Sequence, residues 1–128
     1  MKLYLAARFS RMQEMGGVVA EQITKRGHTI TAQWITGKED ANGMTRRQAA
    51  VMDTSDVREA DVLLFFAEPR GSANVGGGRH WEFGYAYALG KPCIVIGDSE
   101  QVFCDLPNVV RVPDLTTALG YIDGVSNC

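Results

Sequence analysis

Val62-Leu63-Leu64-Phe65-Phe66 is an unbroken apolar run, as expected for a strand buried on both faces of a parallel sheet. Upstream of it, Thr45-x-x-Gln48 fits a capping box and opens a helix that runs to about Ala60. Downstream, a loop holding Pro69, Gly71, Gly76, Gly77 and Gly78 leads into a helix from about Arg79 to Leu89. Gly90 ends that helix, and Cys93-Ile94-Val95-Ile96 forms the next central strand. Toward the amino end, residues 2–7 read as a short buried strand. Ser10-x-x-Gln13 then fits a second capping box, with Met12, Met15, Val19 and Ile23 at helical spacing and Gly27 as the stop. His28 to Ile35 reads as another strand and Gly37 to Gly43 as a polar loop. A short strand near Val109–Val112 and a helix from about Leu115 follow at the carboxyl end.

Strands alternating with helices in this way specify an α/β fold, an open three-layer arrangement around a parallel sheet. Right-handed crossovers leave few topologies, and a five-stranded, flavodoxin-like (Rossmann-like) order is expected. In such sheets ligands bind at the carboxyl ends of the strands, which ranks the candidate residues.

Composition narrows the function classes. At 128 residues and 14.0 kDa, residues 1–128 are expected to form a single domain. A net charge of -2 offers no broad attraction to a nucleic-acid polymer, although local arginines suit a small anion. The three cysteines, Cys93, Cys104 and Cys128, show no CxxC spacing, which fits neither a disulfide framework nor a zinc site and favours a reducing cytoplasm. Lys2 to Ala7 is too short an apolar stretch for a signal peptide or a membrane span, so a cytoplasmic protein is expected.

Gly76-Gly77-Gly78-Arg79-His80-Trp81-Glu82 lies after a central strand and opens a helix. Consecutive glycines let backbone N–H groups approach a ligand, and a helix start favours negative charge. Glu82, expected in the first turn, is then an ionised carboxylate suited to nucleophilic attack, against the plainer reading of a surface glutamate. Of the acids before the third strand, Asp61 falls on the edge of the sheet away from the ligand. Asp53 lies two helical turns earlier, roughly 12 Å back toward the ligand edge, and so can meet Glu82. Tyr4, on the first strand, needs a partner for its hydroxyl if buried, and Glu82 would serve. Trp34 either packs in the core or stacks on a base. Arg8, Arg11, Arg70 and Arg79 stand in loops or first turns at the ligand edge; solvated arginines are the plainer reading, and at least one is expected to meet a phosphate or carboxylate.

Tyr4-Leu5-Ala6-Ala7, Asp53-x3-Val57-x3-Asp61 and Glu82-Phe83-Gly84-Tyr85-Ala86-Tyr87-Ala88-Leu89-Gly90-Lys91-Pro92 together resemble the nucleoside 2-deoxyribosyltransferase family, over residues 2 to about 112. The Glu82–Pro92 block is the most specific part. The resemblance implies that Glu82 attacks the anomeric carbon of the sugar, that Tyr4 holds it, and that Asp53 handles the proton of the base. Ala6, Arg8, Trp34, Gly76, Gly77, Gly78 and Arg79 make up the candidate substrate-binding edge. Many of the transferases carry an aspartate six residues before the nucleophile, where Gly76 stands here. Related deoxynucleoside 5′-monophosphate N-hydrolases also lack that acid, so a 5′-monophosphate joins the free nucleoside as a candidate substrate.

The expected reaction is cleavage of an N-glycosidic bond through a glycosyl-enzyme, with the deoxyribosyl group passed to a second nucleobase or to water. Neither a metal nor a cofactor is needed. The family also assembles as dimers or hexamers, so a homo-oligomer is expected. A phosphoribohydrolase of the lysine-decarboxylase-like group is a weaker match, because the glycine loop lacks that group's proline and threonine. The alternative from another class is a catalytically silent nucleotide-binding sensor of the same fold, which replacement of Glu82 would expose.

Overall fold

A computed structural model describes residues 1–37, 43–70 and 77–126. Five parallel strands form one sheet: β1 (Lys2–Ala6), β2 (Thr29–Ile30), β3 (Val62–Phe66), β4 (Cys93–Ile96) and β5 (Val109–Val112). Their order across the sheet is β2-β1-β3-β4-β5, the flavodoxin-like order expected from the sequence. Every residue of β3 is buried, and Leu3 to Ala6 of β1 are fully so, because helices cover both faces of the sheet. Tyr4 pairs with Leu63 in the centre of the sheet.

Residues 9–25 form the first helical segment, α1, and it is irregular. A 3₁₀ turn (Phe9–Arg11), a short α stretch (Met12–Glu14), a π turn (Met15–Val19) and an α stretch (Ala20–Lys25) follow one another. Met15, Val19 and Ile23 face the core as their spacing predicts. The Ser10–Gln13 capping box does not form. The chain curls into the 3₁₀ turn directly after Arg8, which puts Ser10 inside the helical segment, and the caps carry no side-chain hydrogen bond. Within the π turn, Gly16 is required by packing. A Cβ there would stand 2.5 Å from the carbonyl oxygen of Ile35.

The second strand is far shorter than residues 28–35. After Thr31, whose N–H still bonds to Leu3, the backbone finds other partners. Asp56 accepts the Gln33 N–H at 3.0 Å and the Gln33 side-chain amide at 2.9 Å, and its own carbonyl accepts the Thr31 hydroxyl at 2.8 Å. These bonds turn the chain into a 3₁₀ helix, Gln33–Thr36, instead of a continued edge strand.

The second helix, α2 (Arg46–Glu59), begins with the expected capping box, in which Thr45 and Gln48 exchange hydrogen bonds. The third, α3 (Gly78–Ala88), ends at Gly90, whose φ of +78 suits a residue without a side chain. A short 3₁₀ turn (Val102–Asp105) precedes β5, and α4 (Leu115–Ser126) closes the second face. Among the described residues, no helix is long and apolar enough to cross a membrane.

Candidate active site

β1 and α3 bring two of the candidate residues into direct contact. Tyr4 is fully buried, and its hydroxyl donates to Glu82 Oε2 at 2.5 Å. Burial pushes the Tyr4 hydroxyl far above its ordinary pKa, and the charges of Glu82, Asp53 and Asp56 push in the same direction. Tyr4 therefore remains a protonated donor throughout the working pH range. The influence of Asp53 on this hydroxyl places all three residues in one electrostatic neighbourhood, reached from a strand, α2 and α3.

Glu82 sits slightly later in its helix than expected. Because α3 starts at Gly78, Glu82 opens the second turn, and Arg79 occupies the first. A helix dipole acts mainly within the first turn, so the Tyr4 hydroxyl is the stronger local influence on the Glu82 carboxylate. Glu82 is 9% exposed, at the boundary of the core.

The glycines at the helix start are open to solvent. A Cβ built on Gly77 or Gly78 would meet nothing within 4 Å, so internal packing does not demand glycine at either position. Space for a ligand to approach the backbone is the physical feature they supply. Gly76 lies outside the described residues.

Three of the four candidate arginines are engaged with acids, and Arg70 with a backbone carbonyl. Arg8 lies 3.7 Å from Glu68, and Arg11 pairs with Glu68 at 3.0 Å and with Glu14 at 2.9 Å. The Arg70 Nε donates to the Ser99 carbonyl at 3.0 Å. Arg79, expected as a cation facing a ligand, is instead buried and holds Glu100 through both terminal nitrogens, at 2.6 and 2.5 Å. Its guanidinium also lies over the Phe65 ring, 5.3 Å from the centroid. Trp34 and Ala6 are both buried, and the Trp34 indole N–H donates to the Leu5 carbonyl at 2.8 Å.

Two acids in this network escaped the sequence reading. Asp56 fixes the turn that carries Trp34, as described above. Glu100, just beyond β4, accepts the Glu68 N–H at 2.8 Å in addition to Arg79. Burial by itself would raise the Glu100 pKa, but the bonds from Arg79 and the Glu68 N–H outweigh it and hold the carboxyl below its usual value. Asp56 falls on an unspecified position of the Asp53-x3-Val57 stretch and Glu100 outside every motif, and their partners are distant in sequence. His80, next to the pair, is lowered by burial and by the Arg79 charge, and is therefore a neutral imidazole at pH 7.

A family model described as nucleoside 2-deoxyribosyltransferase matches residues 3–120. Among solved structures, a CMP N-glycosidase from Clostridium botulinum is 18% identical with a TM-score of 0.63, over 96% of this chain and 98% of that one. A 2-deoxyribosyltransferase from the bacterium Bacillus psychrosaccharolyticus is 20% identical with a TM-score of 0.63, over 92% and 90% of the two chains. A search of curated proteins finds no match. At these identities the structural likeness is one of fold.

Proposed function

The chain belongs to the nucleoside 2-deoxyribosyltransferase family, whose members are enzymes, and on that premise we propose that it cleaves the N-glycosidic bond of a 2′-deoxynucleoside or its 5′-monophosphate, with Glu82 as nucleophile. The observation that carries this reading is the 2.5 Å bond from Tyr4 to Glu82, formed within the electrostatic reach of Asp53. Tyr4 orients the Glu82 carboxylate through Oε2, and the carboxylate attacks C1′. As the Glu82–C1′ ester forms, the C1′–N bond breaks, and the departing base takes a proton from Asp53. In the second half, an incoming base or water attacks C1′ and gives its proton back to Asp53. Glu82 then leaves as a carboxylate, stabilised by the Tyr4 hydroxyl. Two displacements at one carbon retain its configuration.

With a base as acceptor the enzyme is a transferase, and with water it is a hydrolase. Arg79 is committed to Glu100, so a 5′-phosphate would rely on the Gly77 and Gly78 backbone and on the arginines around Glu68. Assembly with further copies is part of the proposal. Trp81 and Phe103 are exposed apolar side chains on one cleft of about 460 Å³ next to α3, a surface suited to a second subunit.

The test is incubation with deoxynucleosides and deoxynucleoside 5′-monophosphates, with and without a second base, followed by chromatography. Base exchange on nucleosides marks a transferase, and free base from monophosphates marks a hydrolase. Replacement Glu82→Ala is expected to reduce either reaction by at least about a thousandfold. Unchanged base release from a folded Glu82→Ala protein would remove Glu82 as nucleophile.

A further inference from the structure

We propose that Glu100 is a positioning residue that sets the height of Glu82 by clamping both ends of the segment between β3 and α3. The proposal builds on Glu82 as the nucleophile. Its starting point is an arrangement that local physics opposes. A cation in the first turn of a helix faces the positive end of the helix dipole, and Arg79 stands there, buried. Burying an ion pair also costs more than burying apolar side chains of the same volume in many proteins. Such a pair is retained where it fixes a geometry that apolar packing leaves free.

The geometry fixed here is the start of α3. Its N-cap, Gly77, has no side chain, and among the described residues no side chain caps the helix entrance. Glu100 supplies the anchor from outside. One carboxylate oxygen receives both the Glu68 N–H, two residues after β3, and Arg79 Nη1, while the other receives Arg79 Nη2. Glu68 after β3 and Arg79 at the start of α3 are therefore tied to a single carboxylate. Glu82 lies three residues beyond Arg79, about 4.5 Å along the axis and on the same face. Tyr4 is fixed independently by the central strand β1. Any slip of the helix entrance would therefore move the Glu82 carboxylate against its hydrogen-bond donor.

Four proteins test this: wild type, Glu100→Gln, Arg79→Met, and the double variant Arg79→Met with Glu100→Leu. The double variant replaces the ion pair with apolar packing and is expected to keep its fold and Tm while losing the clamp. Base release should show kcat lowered about tenfold to a hundredfold in all three variants, with KM changed by less than about threefold. Backbone amide exchange should quicken at Glu68 and through residues 78–82. Restored kcat in the stable double variant would reduce the pair to a stability element and overturn the proposal. So would unchanged exchange in α3 when the pair is removed. The exchange arm reads the clamp whether or not Glu82 is the nucleophile, whereas base release by Glu82→Ala reads the nucleophile alone.

Discussion

Tyr4, Asp53 and Glu82 divide the reaction among groups whose replacement should leave separate signatures. Tyr4→Phe keeps the ring in its buried position but removes the donor to Glu82. We expect kcat to fall by about one to two orders of magnitude, with a smaller effect on substrate binding. The same variant reports the protonation of Tyr4. A group whose folded pKa is raised stabilises the fold fully below its unfolded value, near 10, and loses that contribution at higher pH. Alkaline titration followed by tyrosinate absorbance should therefore show the Tyr4 signal only as the protein unfolds, and Tyr4→Phe should lack that step. Appearance of the full tyrosinate signal in a still-folded protein would contradict the donor role. Asp53→Asn should slow release of ordinary nucleobases by about a hundredfold or more, and much less for a base that departs without a proton. A uniform loss across leaving groups would show that Asp53 acts on something other than the base.

At the scale of elements, α1, α2 and α3 are fixed in three different ways. The entrance of α2 is encoded locally, by the reciprocal bonds of Thr45 and Gln48. Thr45→Ala should cost about 1 kcal/mol in denaturant unfolding, with kcat little changed, because Asp53 stands two turns further on. The course of α1 depends on packing at its π turn instead. The Gly16 contact with Ile35 leaves no room for a methyl group, and Gly16→Ala should cost about 1–3 kcal/mol. The loss should be accompanied by altered Trp34 fluorescence, since Trp34 lies in the turn that would have to give way. A neutral Gly16→Ala would mean that the two segments separate readily. α3 starts without a side-chain cap among the described residues, and its first-turn Arg79 is bonded to Glu100.

For the molecule as a whole, charge and assembly are the measurable properties. The Glu100 carboxyl is held below its usual pKa, so its contribution to stability is present above the ordinary carboxylate range and is lost as pH falls through the folded value. Glu100→Gln should therefore be less stable than wild type at neutral pH, and the difference should narrow in acid. A constant difference across the titration would contradict the linkage. Assembly through the cleft between α3 and the Val102–Asp105 turn is checked by sedimentation. Trp81→Glu and Phe103→Glu should each shift the protein toward smaller species, and an unchanged distribution would place the interface elsewhere.

What the sequence determined by itself are the features whose cause is local or periodic. The apolar run Val62–Phe66, the Thr45–Gln48 box, the left-handed glycine at Gly90 and the spacing of Met15, Val19 and Ile23 each act within a few residues. Their alternation fixed the sheet order. The Tyr4–Glu82 bond was legible too, because a buried hydroxyl on a central strand needs a partner and the following topology offers one. Only the tertiary structure decided the second strand, the irregular course of α1 and the fate of Arg79. In each case a local signal lost to a partner far along the chain: Asp56 drew Gln33 away from a ladder, the Ile35 carbonyl claimed the space beside Gly16, and Glu100 turned inward a cation expected to face a ligand. Such outcomes depend on distances between segments remote in sequence, and those distances exist only after the chain has folded.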